Sequence, residues 1–241
     1  MIPTPKISIV TVCRNVCREL QETYHQSAEQ TYQNKEIIIV DGASTDGTRE
    51  WLSTLQPTDA RWASEPDAGI YDAMNKGVAM ATGDYVIFMN AGDYFASVSV
   101  LEQVFGSGSV DADVVYGAVI KHDHVGVSHV FQAQEPHNAH RMFFCHQCAF
   151  TKRSLLLSHP FDTRHRMSAD FKLYKQLIGE HRYFKRLELP IAVFDTSGVS
   201  NRHRADGLKD NISVIREVDG FWSRIKLLPR LYFQVLMCKL R

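Results

Sequence analysis

EIIIVDGASTDG, residues 36–47, joins four consecutive β-branched residues to an acid and then to a small polar turn. Such an unbroken apolar run predicts a strand buried on both faces, as in a parallel sheet covered by helices. Asp41 closes the strand and Gly42 permits a sharp departure, while Ser44, Thr45 and Asp46 are natural caps for a following helix. In an α/β sheet, ligands bind outside the carboxyl ends of the strands. A carboxylate at Asp41 is therefore placed to accept hydrogen bonds from a base or a ribose.

Working outward, KISIVTVC (6–13) predicts a buried strand, and residues 16–30 a surface helix with Leu20, Tyr24 and Ala28 at spacing four. Residues 48–55 read as a helix, and ARWASEP (60–66) as a short strand and its exit. GIYDAMNKGVAMA (69–81) carries Ile70, Ala73, Met74, Gly77 and Met80 on one helical face. Residues 84–89 then form a strand that runs into FMNAGDYF (88–95), where an apolar run stops at Asn90 and a lone acid, Asp93, follows Ala91-Gly92. Strand-helix alternation of this kind predicts an α/β, Rossmann-like, mostly parallel sheet with helices on both faces. The segments Asp41–Gly47, Glu65–Gly69 and Asn90–Asp93 would gather at one edge of it. Beyond residue 110, DVVYGAVI (113–120), HVFQ (129–132) and IAVFD (191–195) read as strands, and 168–178 as a helix.

The 241 residues carry 27 basic and 27 acidic side chains, so no global basic field points to nucleic acid. No apolar run approaches the roughly 18 residues of a membrane-spanning helix, and the N-terminus lacks the pattern of a secretory signal. The five cysteines are odd in number and not spaced as a disulfide framework, which favours reduced thiols and a cytoplasmic setting. Cys145 and Cys148 form a C-x-x-C without the second pair that structural zinc wants. The C-terminal stretch WSRIKLLPRLYFQVLMCKLR (222–241) combines regularly spaced apolar residues with five cations and no acid. It is a basic amphipathic segment suited either to an anionic membrane surface or to packing on the domain, with Pro229 expected to interrupt its helix.

Taken together, VTVCRN (10–15), EQTYQNKEIIIVDGASTDGT (29–48) and SEPDAGIYDAMNKGVAMATGDYVIFMNAGD (64–93) resemble family 2 glycosyltransferases of the GT-A fold. The nearest likeness is to bacterial enzymes that assemble exopolysaccharide, colanic acid or O-antigen units. The resemblance implies a nucleotide-diphosphate-sugar donor, expected in the UDP form, a divalent cation (Mn²⁺ or Mg²⁺), and inversion at the anomeric carbon. It implies that Thr11 and Val12 line the base pocket and that Asp41 contacts uracil or ribose. Asp67, Lys76 and Asn90 would belong to the donor site, and Asp93 would ligate the metal. Relatives often have two adjacent acids at the positions of Gly92 and Asp93, and sometimes a further one at Asn90; here only Asp93 is acidic. Oxygen ligands of this kind suit Mg²⁺ or Mn²⁺.

An inverting displacement needs a base for the acceptor hydroxyl. The family places an acid at the start of a helix in the second half, and FDTRHRMSADFKLYKQL (161–177) supplies Asp170 there, with Ser168 as the expected cap. CHQCAFTKRSLL (145–156) resembles the family's His-Gln segment, so His146 and Gln147 are candidates for the acceptor or diphosphate pocket. Arg202, in a loop that resembles one closing over the donor, is another. The expected organisation is one domain over 1–221, with donor-side and acceptor-side halves meeting near residue 110, followed by the segment 222–241. The expected partners are a nucleotide-sugar donor and a glycan or lipid-linked glycan acceptor. The alternative is a non-catalytic sugar-nucleotide-binding or scaffold subunit. A dinucleotide-dependent oxidoreductase is disfavoured, because VCRN stands where G-x-G-x-x-G would follow the first strand.

Overall fold

The computed structural model describes residues 4–108, 110–122, 128–195 and 204–239. Its first half alternates as the sequence pattern demands: β1 (Ile7–Cys13), α1 (Cys17–Ala28), β2 (Lys35–Asp41), α2 (Thr48–Leu52), β3 (Arg61–Ser64), α3 (Ile70–Met80) and β4 (Tyr85–Phe88). Then come β5 (Tyr94–Phe95), α4 (Val100–Phe105), β6 (Val114–His122) and β7 (Ser128–Phe131). A 3₁₀ turn (His146–Cys148) leads into β8 (Ala149–Lys152), α5 (Arg153–Ser158), α6 (Ala169–Gly179), β9 (Phe184–Asp195), α7 (Arg204–Val218) and α8 (Phe221–Lys239).

The strands form one sheet in the order β3-β2-β1-β4-β8-β6-β9-β5, with β7 paired to β6. β1, β2, β3, β4, β6 and β9 run one way, and β5, β7 and β8 run against them. The β-branched runs are buried on both sides, as a parallel sheet between helices requires. Val10, Val12, Ile38, Val40 and Phe88 pack with Met74 and Val78 of α3 and Leu173 and Leu177 of α6. The alternate residues Ile7, Ile9, Ile37, Ile39 and Ile87 pack with Leu20 of α1, Leu52 of α2 and Phe105 of α4.

Four local expectations are corrected. The helix after Gly47 stops at Leu52 rather than Leu55. β9 begins at Phe184, well before Ile191, and tolerates Pro190 because Pro190 pairs with Ala118 at a register irregularity of β6. Ser168 stands at the N-cap of α6 without a side-chain cap bond, its hydroxyl donating instead to the Gly207 carbonyl at 3.4 Å. Pro229 does not interrupt α8, which runs through it. Its ring lies on the exposed side, while Leu227 and Leu231 on either side are buried and hold the helix in place.

Candidate active site

The carboxyl ends of β1, β2, β3 and β4 lie side by side. Asp41 pairs in register with Cys13 on one side and Ser64 on the other. Beyond β4 the chain continues along β1: the Met89 and Ala91 amides donate to the Val10 and Val12 carbonyls at 2.9 and 3.3 Å. Asn90 is thereby brought level with Thr11 and Val12. Thr11 and Val12 are themselves buried strand residues, 1% and 6% exposed, and Val12 packs toward α3.

Asp41 is fully buried, and its carboxylate accepts from the Ser44 amide at 3.1 Å, the Ser44 hydroxyl and the Ser64 hydroxyl at 2.6 Å. Asn15 stitches the exit of β1 to the same turn: its amide donates to Ser44 Oγ at 2.7 Å, and its Oδ1 accepts from the Thr45 amide at 2.8 Å. Asp46 accepts from Thr48 and, at 2.9 Å, from the Cys17 amide, so residues 44–47 serve both helix starts. Asp67 lies over Gly42. A Cβ on Gly42 would fall 2.3 Å from Asp67 Oδ2 and 3.3 Å from Arg14 Cδ, so only glycine leaves room for this approach. Arg14 and Asp67, with Ile70, Tyr71, Thr163 and Arg166, line a cleft of about 330 Å³. A similar concavity lies at the opposite, amino-terminal edge of β2 and β3, where Lys35, Glu36 and Arg61 line it, remote from these strand ends.

The Asn90–Asp93 turn is held by its neighbour helix. Thr23 of α1 accepts the Gly92 amide at 2.9 Å and donates to the Asp93 carbonyl at 3.1 Å, and Gly92 takes φ +97°, a conformation open to glycine. Asp93 is 7% exposed. Asn90 Oδ1 is buried without a hydrogen-bond partner. An orphaned oxygen beside a carboxylate on one turn is a donor set that fits a hard divalent cation.

On the other side, Asp170 sits in the first turn of α6. Tyr71 of α3 donates a 2.7 Å hydrogen bond to Asp170 Oδ1, and His146 Nδ1 lies 3.9 Å from Asp170 Oδ2. Burial, then the Asp170 charge, holds the Tyr71 hydroxyl well above its ordinary pKa, so it stays protonated as a donor. The His146 ring stacks on Phe88 with centroids 5.3 Å apart, and neither ring nitrogen has a hydrogen-bond partner. Burial lowers its pKa while the Asp170 charge acts in the opposite sense, which leaves a neutral imidazole at pH 7. Gln147 Oε1 accepts the Cys145 thiol at 3.0 Å. Cys145 is held below the usual thiol value by a hydrogen bond with Cys148. The 145–148 turn thus borders Asp170.

α6 is braced by a charged cluster. His165 Nδ1 contacts Asp210 at 2.7 Å, its Nε2 contacts Glu217 at 3.2 Å, and Lys172 bonds both Asp162, at 2.6 Å, and Glu217. Asp162, His165 and Glu217 are spaced closely enough to hold a cation. Lys172 and Arg164 already neutralise the two carboxylates, so an ion-pair network is the better description. The Met167 amide donates to Asp210 at 2.9 Å, which fixes the approach to Asp170.

Asp41, Asp67, Asn90, Asp93, His146, Gln147 and Asp170 therefore lie on strand-end turns or on the turn and helix facing them. Lys76 is otherwise engaged: it pairs with Glu65 at 2.9 Å and Asp72 at 3.4 Å and donates to the Pro66 carbonyl at 2.9 Å, stapling the 65–66 loop to α3. Arg202 lies outside the described residues. Sequence reasoning did not single out Tyr71, Arg14 or Arg166. Tyr71 stood within GIYDAMNKG, one residue after the helix start, and Arg14 within VTVCRN; nothing local marked Arg166.

Residues 8–177 match the family model for Glycosyl transferase family 2. An uncharacterized glycosyltransferase of Mycobacterium tuberculosis is 39% identical over 104 residues, 43% of this chain and 40% of its own length. The chain thus spans less than half the length of that relative. A PGL/p-HBAD biosynthesis glycosyltransferase of Mycobacterium bovis is 32% identical over 177 residues, 69% of this chain and 67% of its own length. Among solved structures, the mannosyltransferase PcManGT from Pyrobaculum calidifontis, in complex with GDP-Man and Mn²⁺, is similar at a TM-score of 0.68 and 19% identity, covering 90% of this chain and 66% of that one. At that identity the likeness is one of fold.

Proposed function

Because the chain belongs to glycosyl transferase family 2 and has the GT-A fold, we propose that it transfers a sugar, with inversion, from a nucleoside-diphosphate donor to a hydroxyl of a glycan or lipid-linked glycan. The observation that carries this reading is the Tyr71–Asp170 contact at the wall of the cleft that begins at Asp67. Asp170 takes the proton of the acceptor hydroxyl. The acceptor oxygen bonds to the anomeric carbon from the face opposite the departing diphosphate, and the bond from that carbon to the phosphate oxygen breaks, releasing the nucleoside diphosphate. Tyr71 holds the Asp170 carboxylate in position through its hydroxyl. His146 and Gln147 border the acceptor side.

Thr11, Val12, Asp41 and Asp67 form the nucleoside end, Asp41 by holding the 42–44 backbone in place and Asp67 by facing the cleft. Asp93 and Asn90 would hold Mn²⁺ or Mg²⁺, which when bound would supply Lewis-acid stabilisation of the departing diphosphate. Uridine as the donor base rests on the sequence resemblance, and the GDP-Man carried by PcManGT is the reason to test both bases.

The test is Asp170→Asn assayed against a panel of UDP- and GDP-sugars. Transfer falls by about 10³-fold or more while the donor Kd changes less than about threefold. Turnover close to wild type overturns the base assignment, and a wild-type chain with neither transfer nor donor hydrolysis is the outcome expected of a binding or scaffold subunit.

A further inference from the structure

α8 is apolar on two opposite sides. Its inner side, with Leu227 and Leu231 at 8% and 0% exposure, packs against Ile212 and Ile215 of α7 and Phe171 of α6. Its outer side carries Trp222, Ile225, Tyr232, Phe233, Leu236 and Met237, with Trp222 80% and Phe233 63% exposed. These positions are separated by whole turns of the helix, with two turns between Ile225 and Tyr232, so they form a stripe on one side along roughly 20 Å of the helix. More than half of the exposed large apolar side chains among the described residues lie on this one helix.

The charges beside the stripe have one sign. Lys226 and Arg230 are exposed one turn apart, and the Arg216 guanidinium of α7 lies 5.8 Å from the centre of the Tyr232 ring and bonds its hydroxyl. Residues 221–239 contain no acid. Among the described residues no helix is long and apolar enough to cross a membrane. The pattern is that of a helix lying in a bilayer interface, with apolar and aromatic side chains entering the boundary and cations meeting anionic headgroups. A second copy of the chain fits less well, since two such stripes face to face would oppose cations with no helix acid to neutralise them.

We propose that the outer stripe of α8 docks the protein on an anionic lipid surface, in the plane of the bilayer. The proposal stands on the helix surface and does not depend on the transfer reaction. The test uses the full chain with phosphatidylcholine vesicles, with and without about 30% phosphatidylglycerol, in flotation and Trp fluorescence. Binding rises at least about tenfold with the anionic lipid and falls with added salt, accompanied by a blue shift of Trp emission. Trp222→Ser with Phe233→Ser removes the binding and the blue shift, and Lys226→Glu with Arg230→Glu removes the preference for anionic vesicles. All four side chains are exposed, so the variants keep the wild-type circular dichroism and melting temperature. The proposal is overturned by absence of binding to anionic vesicles at low salt, by variants that bind as well as wild type, or by light scattering that shows a dimer which Phe233→Ser dissociates.

Discussion

The Tyr71 hydroxyl donates to Asp170 Oδ1 at 2.7 Å, across 99 residues of chain. It ties the helix that follows the Asp67 turn to the helix that presents the proposed base. A hydrogen bond to a charged group contributes about 1.5–3 kcal/mol. If its role is to hold the carboxylate for proton transfer, Tyr71→Phe lowers kcat about 10- to 100-fold. Donor Kd stays near wild type, while loss of the bond lowers the melting temperature by about 3–12 °C. A loss confined to KM would show instead that Tyr71 serves binding.

Gly42→Ala tests the close approach of Asp67. The added methyl meets Asp67 Oδ2 at 2.3 Å, and the flexible carboxylate must swing away. Donor affinity falls on the order of tenfold while global stability changes by less than about 1 kcal/mol, because the side chain rather than the backbone gives way. Isothermal titration with the preferred donor, beside a thermal melt, measures both.

Asp93→Asn removes the charge at the proposed metal position and keeps the shape of the turn. A donor and Mn²⁺ together raise the melting temperature of the wild type through binding to the native state. In Asp93→Asn that increment disappears. In Asn90→Ala, which deletes the orphaned Oδ1, it is reduced. An unchanged Mn²⁺-dependent increment in both variants would remove these residues from the metal site.

Glu36 governs acid stability at the far edge of the sheet. Burial alone would raise its pKa, but bonds from the Ser8 hydroxyl at 2.6 Å, the Thr82 amide at 2.6 Å and Lys6 hold the carboxyl at about 2. The folded value is depressed, so its stabilisation is complete above the ordinary glutamate range and is lost as pH falls from about 4.5 toward about 2. Glu36→Gln costs on the order of 2 kcal/mol at pH 7, after a discount for partial screening, and flattens the pH dependence in that window. Urea titrations from pH 2 to 7 give the comparison.

Much of the fold is legible in residue patterns. KISIVTVC and EIIIVD mark buried strands because uninterrupted β-branched runs are stable only between two apolar layers, and the acids after them mark the ligand edge. The helix ending at Leu52, the early start of β9 and the continuity of α8 through Pro229 are not legible, because each depends on which neighbour covers a residue. Lys76 shows the same limit within the site: its charge and its i,i+4 spacing from Asp72 are visible in the sequence, but its pairing with Glu65 and the Pro66 carbonyl is not.

By itself the sequence determined the order of strands and helices as far as β4, the family resemblance and the identities of Asp41, Asp93 and Asp170, since these follow from local periodicity and motif. Only the tertiary structure decided that Ser64 seals Asp41, that Asn90 keeps an unpartnered oxygen, and that Tyr71 meets Asp170. Such facts arise where elements distant in the chain are packed together. Hydrogen bonding and desolvation depend on that packing, and no window of sequence contains both partners.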